Sequence, residues 1–300
     1  MFQIGIGSAV RVLAVAGSTA LWLVAGGLGD PADAAQRKQV TEKVFPLEPG
    51  GDLRIESQNG RITVEAWNRN EVRVQITRMV RANDDKRADE ILKEMQVDVA
   101  LGPGRIEIVS RFPKRVESVG FWDVLGQRVT AMNIHYYVQV PARTGLELTT
   151  TNGELQIKGT TGAVSGKTVN GSVEVRGIRG PVEVETTNGN IRLSGIAGSA
   201  RAGTTNGTIA AELRQIDAGG RIALSTTNGN VTASLPGDLK ATVDAETTNG
   251  RVRVAYPVQR LAGSTARVLH AKIGGGGVDV TLRTTNGNIV IQKIGQSEGT

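Results

Sequence analysis

The sequence predicts an all-β protein: a single-stranded β-solenoid (β-helix) with coils of roughly 18–22 residues and a small α+β cap region on its N-terminal side. Three observations support this fold class. An Asn-Gly dipeptide recurs at a short spacing, apolar and polar residues alternate on both sides of it, and the composition is rich in glycine and poor in aromatic residues. The 300 residues include 39 glycines but only 3 tryptophans, 3 tyrosines and 4 phenylalanines, so the core must consist of small aliphatic side chains.

The first element along the chain is a predicted export signal over residues 1–35. Arg11 precedes an apolar run over residues 12–28, and a tract of small residues ends at Ala35, which is the pattern of a secretory signal peptide. Cleavage is expected after Ala34 or Ala35. The alternative is an uncleaved membrane anchor, which the glycine and serine residues of the run disfavour. In either case the rest of the chain is expected outside the cytoplasm, in the periplasm, on the cell surface or secreted.

Residues 36–145 are predicted to form the N-terminal strands, the start of the solenoid and its cap. The coil pattern first occurs within residues 52–64, where aliphatic residues alternate on both sides of an Asn-Gly pair. Further strands are predicted over residues 72–78, 105–110 and 134–140. The solenoid therefore begins before the main repeat region, and the additional strands are expected to belong to the cap.

Residues 83–95 are predicted to form the one helix of the cap. Asn83 or Asp84 is its N-cap, and acidic residues occupy its first turn. The apolar stripe consists of Ala88, Ile91, Leu92 and Met95. Because an open solenoid end exposes unpaired strand edges, the helix is expected to cover an end or a flank of the sheet.

Residues 146–300 are predicted to form the repeat region of the solenoid. Together with the one earlier copy, Asn-Gly pairs begin at positions 59, 152, 170, 188, 206, 228, 249 and 286. Aliphatic residues occur six and four positions before the asparagine, threonine two positions before it, and aliphatic residues three and five positions after it, as around Asn188. Alternation with a period of two predicts strands on both sides of each turn.

Stacking of the coils is predicted from the constant positions of threonine and asparagine. Asn-Gly between two alternating runs is also typical of a two-residue hairpin turn, which leaves a series of antiparallel hairpins as the alternative. In a series of hairpins nothing requires threonine and asparagine to recur at the same strand parity in every unit, whereas stacked coils place identical residues above one another. Two inward-pointing ladders are therefore expected, one of the threonines and one of the asparagines from Asn152 to Asn286.

The glycines are assigned to the corners of the coils, where left-handed or strained backbone is needed. The last two Asn-Gly pairs are 37 residues apart, about two periods, and residues 257–277 are expected to fill the place of one missing pair. Seven or eight coils spaced about 4.8 Å apart would form a rod roughly 35–40 Å long.

The chain resembles a known bacterial family. The resemblance rests on the opening FPLEPGGDLRIESQNGRITVEAW, the passage YYVQVPARTGLELTTTNGELQI and the recurrent TTNG-x-I-x-L units, and it covers residues 44–294. These features are similar to the DUF4097 family, whose members are provisionally labelled adhesins. The resemblance implies an extracytoplasmic β-solenoid, and it supplies no catalytic residues.

The composition excludes several classes of function. Without cysteine there are no disulfides, no cysteine-ligated zinc and no iron-sulfur clusters. The net charge of +6 and the pI near 9.8 would suit nucleic acid, an anionic membrane or an acidic polymer. Nucleic acid is not expected as a partner, because binders of single strands use aromatic stacking platforms and Tyr256 is the only aromatic residue after Val138.

No catalytic, metal-binding or cofactor motif occurs in the sequence. His135 lies in a predicted strand and His270 in a loop-rich insertion, and neither has partners at the spacing of a zinc site or a catalytic triad. The glycine run over residues 274–277 lacks the lysine and serine or threonine of a phosphate-binding loop, so a flexible turn is expected there. We expect no cofactor and no metal ion.

Two surfaces of the predicted solenoid are candidates for binding. Outward acidic residues before the turn could serve a polysaccharide-active enzyme, but Arg201 and Arg283 interrupt them and favour a solvated mixed face. These acidic residues are Glu147, Glu183, Glu185, Asp244, Glu246 and Asp279. The face after the turn is more basic, and its candidate binding residues are Arg176, Arg192, Arg251 and Arg253. The pair Phe121 and Trp122 is a further candidate for contact with a partner or a membrane surface, although plugging the end of the solenoid is the favoured alternative.

The sequence therefore predicts an exported, non-catalytic protein that acts as an adhesin or as an interaction scaffold in the cell envelope. Its expected partner is a component of the envelope or the cell surface, and no stable transmembrane domain is expected after signal cleavage. The alternative is an envelope module that senses or regulates by binding an anionic glycan or lipid. A polysaccharide-active enzyme is the third and less favoured hypothesis.

Overall fold

The computed structural model describes residues 21–23, 35–82, 84–113, 129–217 and 219–295. These residues form one α-helix and 24 strands, which are arranged in two sheets of 12 strands each. The prediction of an all-β protein with one short helix is thus confirmed for the described residues. A continuous cluster of buried hydrophobic side chains, from Leu47 to Ile291, fills the space between the sheets.

The N-terminal part contains eight strands and the helix. They are β1 Leu21–Leu23, β2 Ala35–Pro46, β3 Asp52–Glu56, β4 Ile62–Trp67, β5 Glu71–Ala82, α1 Asp85–Glu94, β6 Gln96–Gly102, β7 Arg105–Arg111 and β8 Val129–Pro141. The helix begins after Asp84, whose side chain accepts a hydrogen bond from the backbone N–H of Arg87 at 2.8 Å. It buries Ala88 and Ile91 and packs against β2 and β5, which agrees with the predicted flank position.

The repeat part consists of strands in pairs, one before and one after each turn, followed by a hairpin and a last pair. They are β9 Gly145–Thr149, β10 Leu155–Lys158, β11 Val164–Lys167, β12 Val173–Arg176, β13 Val182–Asn188, β14 Ile191–Ala197, β15 Ala200–Asn206, β16 Ile209–Gln215, β17 Arg221–Asn228, β18 Val231–Leu235, β19 Ala241–Asn249, β20 Val252–Val254, β21 Gln259–Arg260, β22 Val268–Ile273, β23 Val278–Asn286 and β24 Ile289–Lys293.

From β8 to β20 the strands alternate between the two sheets along the chain. Sheet A has the order β1-β2-β5-β8-β4-β10-β12-β14-β16-β18-β24-β20, and sheet B the order β21-β22-β19-β23-β17-β15-β13-β11-β9-β3-β7-β6. Successive repeat strands pair in parallel with equivalent residues opposite each other, as Val182 with Ala200 and Asn188 with Asn206. Parallel pairing excludes a series of antiparallel hairpins for the repeat strands.

The order of stacking differs from the order of the chain at both ends. Near the C-terminal end, the pair β23 and β24 lies between β17 and β18 on one side and β19 and β20 on the other. Near the N-terminal end, β3 and β4 lie between β7 and β8 on one side and β9 and β10 on the other. A simple succession of coils, as the single-stranded solenoid prediction implied, is therefore wrong at the two ends.

Residues 257–277 do not replace a missing coil, contrary to the prediction. Within this segment β21 and β22 form an antiparallel hairpin, and β22 pairs with β19 at the edge of sheet B. The wide spacing between Asn249 and Asn286 arises because the chain leaves the stack, covers its edge and re-enters one coil earlier. The capping hairpin satisfies backbone groups of β19 that would otherwise be an open edge.

The threonine ladder is buried as predicted, and its members bond to the neighbouring coil. The Oγ1 of Thr186 donates to the carbonyl of Gly171 at 2.9 Å, and that of Thr204 to the carbonyl of Gly189 at 3.0 Å. At the N-terminal end the column finishes at Ser57, whose Oγ accepts from Ser110 at 3.3 Å. Six threonine hydroxyls of the ladder thus satisfy a backbone carbonyl inside an apolar core, where an unpaired polar group would be costly. Thr150 Oγ1 is the exception, since it is buried without a hydrogen-bond partner among the described residues.

The asparagine ladder is exposed, and the prediction of inward amides was wrong. Except at Asn59, each side-chain Nδ2 donates to the Oδ1 of the neighbouring coil at 2.7–2.8 Å, as from Asn206 to Asn188. Eight amides form this chain, from Asn249 at one end to Asn59 at the other. The turn tilts them to the rim of the coil, so the parity of the strand no longer decides where they point.

Candidate functional site

A groove of about 470 Å³ runs across the outer face of sheet B, over the N-terminal halves of seven of its strands. Its floor exists because four successive coils place a small residue directly before the first buried residue of the strand. These residues are Gly145, Ala163, Pro181 and Ser199. At the same position the flanking coils have larger side chains, Asp52 on one side and Arg221 on the other, which close the two ends of the groove.

Charged side chains of both signs line this groove. Glu147 lies 3.6 Å from the guanidinium of Arg54 and 3.5 Å from that of Arg105. Further along the groove, between β13 and β15, the guanidinium of Arg201 lies 3.5 Å from the carboxylate of Glu183. The groove therefore presents hydrogen-bond donors and acceptors above a floor of small residues, and its lining of four arginines and three carboxylates is nearly balanced in charge.

A second, shallower depression of about 460 Å³ lies on the same face, nearer the Asn-Gly turns. Threonines form much of its lining, including the exposed residues Thr151, Thr187 and Thr205. Each occupies the same position in its coil, but Val169 takes that position in the coil between Thr151 and Thr187. Only Thr187 and Thr205 are therefore one strand spacing of about 4.8 Å apart. The outer face of sheet B thus combines a groove with a row of hydroxyl groups that Val169 interrupts.

The outward acidic residues weighed for an enzyme lie on this face among basic residues. Glu185 pairs with Lys167 at 3.4 Å, and Asp244 lies 3.6 Å from Arg283. Glu147 and Glu183 are separated by one intervening strand, a distance of about 10 Å along the sheet. Among the described residues no group of three or more histidine, aspartate or glutamate side chains is arranged to hold a metal ion.

The four candidate arginines lie along sheet A but are not brought together in one cluster. Arg176 donates to Glu174 of its own strand at 2.9 Å, which offsets its charge. Arg192 is exposed and lies opposite Glu174 in the register. Arg253 shares the row of Arg192 but lies four strands further on, about 19 Å away. Arg251 lies at the turn before β20, where its backbone N–H donates to the Oδ1 of Asn288 at 3.0 Å.

Two predicted features lie outside the described residues. The candidate pair Phe121 and Trp122 belongs to the segment 114–128, and the export signal over residues 1–35 is described only at Leu21–Leu23 and Ala35. The three residues of β1 pair antiparallel with β2, opposite residues 39–41. In the described part of the chain, no helix has the length and hydrophobicity needed to cross a bilayer.

The two histidines lie on separate strands. His135 is on β8, and its Nδ1 accepts a hydrogen bond from the backbone N–H of Arg61 at 3.0 Å. Burial lowers the pKa of the His135 imidazole below its ordinary value, and the nearby charges of Arg61 and Lys38 lower it further. His270 lies on β22, a strand rather than the predicted loop, with its Nδ1 at 3.4 Å from Asp244. Neither histidine lines the groove of sheet B.

Sequence reasoning did not identify the floor of the groove. The available signal is the residue seven positions before each asparagine, which is small in four successive units and charged or larger in the others. A single small residue at this position does not predict a depression in the surface. Only the parallel register, which places Ala163 between Gly145 and Pro181, turns the four small residues into one depression.

Comparison with known proteins identifies the family. The model of the family described as Toastrack DUF4097 matches residues 33–292. No curated protein matches in sequence. A "putative cell adhesion protein" from Clostridium sporogenes shares 11% identity with a TM-score of 0.36, over 84% of this chain and 98% of that one. A "putative adhesin" from Bacteroides fragilis shares 11% identity with a TM-score of 0.39, over 84% and 96% of the two chains. A "putative lipid binding protein" from Parabacteroides distasonis shares 10% identity with a TM-score of 0.25, over 85% and 97%.

Proposed function

The chain belongs to the Toastrack DUF4097 family, and from this premise we propose that it is an exported, non-catalytic protein that acts as an adhesin or interaction scaffold in the cell envelope. Its repeat part serves as a β-solenoid scaffold that holds a binding face in a fixed geometry. The observation that carries the proposal is the groove on sheet B, because small residues of four stacked coils form its floor and charges of both signs line its walls.

The composition of the groove favours a neutral, polar chain as its ligand. Guanidinium and carboxylate groups that already pair with each other can also exchange hydrogen bonds with hydroxyl or amide groups of a ligand. The partner we propose is therefore a neutral surface polymer, such as a glycan. Binding across several coils would suit an adhesin, since many weak contacts along a rigid surface add up to stable attachment.

A variant that fills the groove tests this proposal. Ala163→Trp places a large side chain on the floor, whereas Gln156→Trp places the same side chain on the outer face of sheet A and serves as the control. We expect Ala163→Trp to lower retention of the protein on washed envelope fragments and on immobilised neutral polysaccharides at least about fivefold. Equal retention of both variants and the unmodified protein would rule out the groove as the binding site.

The alternative, a sensing or regulatory module that binds an anionic glycan or lipid, rests on the net charge of +6 and on the exposed Arg192. It predicts that reversing the charges at Arg176, Arg192, Arg251 and Arg253 abolishes binding to anionic vesicles and to anionic glycans. The adhesin proposal predicts that the same variant keeps its retention on neutral polysaccharides.

An activity assay separates the scaffold from a polysaccharide-active enzyme. We expect no product release from polysaccharides with or without calcium. Reproducible release that is lost when Glu183→Gln and Glu185→Gln are combined would replace the scaffold proposal with a catalytic one.

A further inference from the structure

Eight copies of one reactive dipeptide occur in this chain in nearly the same fold environment. In an Asn-Gly sequence the backbone nitrogen of glycine can attack the side-chain Cγ of asparagine, because glycine has no side chain to obstruct it. The new N–C bond closes a five-membered imide, the C–N bond of the side-chain amide breaks, and ammonia leaves. Water then opens the imide to aspartate or isoaspartate. The reaction needs only water and a free glycine N–H.

Seven of the eight glycine N–H groups are held by the neighbouring coil. The N–H of Gly207 donates to the carbonyl of Asn228 at 3.0 Å, and the N–H of Gly60 donates to that of Asn152 at 2.9 Å. The others are Gly153, Gly171, Gly189, Gly229 and Gly287, with donor–acceptor distances of 2.9–3.1 Å. Attack by any of these nitrogens first requires local opening of the stack, which lowers the reaction rate by the equilibrium constant for opening.

Gly250 is the exception, because its coil is the last of the stack on the side to which these N–H groups point. Its N–H has no acceptor among the described residues, whereas the carbonyl of Asn249 accepts from Gly287 at 3.1 Å. The side chain of Asn249 is exposed and donates one hydrogen bond, from Nδ2 to the Oδ1 of Asn286 at 2.8 Å. Its own Oδ1 accepts none within the described part of the chain.

The capping hairpin does not protect this dipeptide. The segment that joins β21 to β22 contacts the terminal coil on both sides of this dipeptide. The N–H of Thr247 donates to the carbonyl of Arg267 at 2.9 Å, and the N–H of Val252 donates to that of Ala266 at 3.0 Å. Between these two anchors, no described residue accepts a hydrogen bond from the N–H of Gly250. The glycine nitrogen is therefore without an acceptor, beside an exposed asparagine side chain, at a single copy of the repeat.

We propose that Asn249 is a site of spontaneous deamidation, and that it is modified in the folded protein in preference to the other seven Asn-Gly asparagines. The product adds one negative charge at the C-terminal end of the amide ladder. A carboxylate at residue 249 has no N–H to donate to Asn286, so the modification removes the last hydrogen bond of the ladder. The proposal is independent of the ligand of the groove.

Asn59 is the matched internal control. It stands at the opposite end of the ladder and also makes a single side-chain hydrogen bond, with its Oδ1 accepting from Asn152 at 2.7 Å. It differs from Asn249 in that the N–H of its glycine, Gly60, is held. Asn59 is also half-buried, whereas Asn249 is exposed, so Asn206 serves as a second control because it is exposed and the N–H of its glycine is held.

The experiment is peptide mapping by mass spectrometry after incubation of the folded protein in mildly alkaline water enriched in ¹⁸O. We expect conversion at Asn249 at least about tenfold faster than at Asn59 or Asn206, since those sites must first lose a native hydrogen bond. In denaturant the eight sites should convert at similar rates, which shows that the fold causes the difference. Conversion in the folded protein at equal rates, first at another copy, or at none of the eight would overturn the proposal.

Discussion

The repeat coils and the N-terminal part of the molecule bury a core in different ways. In the repeat, each interior position stacks on the same position of the next coil, so the core consists of aliphatic residues and a threonine column. In the N-terminal part, the long antiparallel strands β2, β5 and β8 and the helix close the end of sheet A, and the core admits larger side chains such as Tyr136 and Met95. Burial raises the pKa of the Tyr136 phenol to about 12, and its hydroxyl lies 2.6 Å from Ser110 Oγ, where the threonine column ends.

This difference teaches that a repeat coil depends on its neighbours, whereas a terminal element depends on its own partners. A middle coil can be replaced by the next coil, because both present the same register. A strand or helix at the end of the stack cannot be replaced in this way, because no other element presents the same register. Four tests of this contrast follow from the largest expected effect to the smallest.

The largest effect is expected from removing the coil that interrupts the chain order. Truncation after Gly277 deletes β23 and β24, which bury Val280, Leu282, Ile289 and Ile291 between two other coils. Each such side chain stabilises the fold by about 1.5–3 kcal/mol, so we expect residues 221–273 to unfold or aggregate. Hydrogen exchange and circular dichroism melts measure this.

The matched control is deletion of residues 171–188, one complete period from the middle of the stack. The deletion joins one Asn-Gly turn to the next in register, so a folded and shorter protein with a cooperative melt is expected. If this deletion unfolds the whole protein while the truncation does not, the contrast between middle and terminal coils is wrong.

The second test concerns the glycine that follows the asparagine of each coil. A Cβ atom on Gly207 would lie 2.0 Å from the carbonyl oxygen of Gly189, so close stacking requires this glycine. The predicted positive φ occurs at only two glycines of this corner, Gly60 and Gly229, but it is confirmed at the other corner for Gly159, Gly177, Gly180, Gly195 and Gly198. We expect Gly207→Ala to lower the free energy of unfolding by about 3 kcal/mol, because a backbone atom must move.

Gly203→Ala is the control for this substitution. Gly203 faces outward on the adjacent strand, and the nearest atom to its added Cβ, Ser225 Oγ, is 3.6 Å away. We expect a change within about 1 kcal/mol, with a gain from the reduced entropy of the unfolded chain. Similar losses for both variants in urea unfolding would show that stacking distance is not the cause.

The third test separates the buried threonine ladder from its exposed neighbour. Thr204→Val keeps the shape of the side chain but removes the hydrogen bond to the carbonyl of Gly189, which should cost about 1 kcal/mol. Thr205→Val alters the next residue, which is exposed, and should change the free energy of unfolding by less than about 0.5 kcal/mol. Thermal melts of the two variants give the difference, and an equal effect would mean that the ladder hydroxyls do not stabilise the stack.

The smallest effect is expected at the N-terminal cap and depends on pH. The pKa of His135 is lowered in the folded state, so below a pH of about 6.5 the unfolded chain takes up a proton that the folded ring resists. The contribution of His135 to the free energy of unfolding is fully present above that pH, and it is lost as the pH falls towards the lower pKa of the folded state. Because the ring is only half-buried, we expect a loss below about 1 kcal/mol.

His135→Asn retains an acceptor for the N–H of Arg61 but does not titrate. Unfolding in urea at about pH 7.5 and about pH 5 should show a smaller pH dependence for this variant than for the unmodified protein. The same dependence in both would assign the effect to other groups.

Local pattern allowed prediction of the elements, because it depends on residues close together in the chain. Alternation of period two identified the strands around Asn188, and the cap at Asp84 with the apolar stripe identified the helix. The threonine ladder followed from the same alternation. The position of the asparagine did not, because the turn after Thr186 changes the direction of the next side chains and alternation holds only within a strand.

By itself, the sequence determined the all-β class, the strand positions, the shared register and the small-residue core. Only the tertiary structure decided which coils are neighbours, where the groove lies and which Asn-Gly pair has an open N–H. The physical reason is that every coil presents the same threonine, asparagine and aliphatic positions, so each can stack on any other. The choice among equivalent partners depends on how the connections and caps close the two ends, which no single repeat encodes.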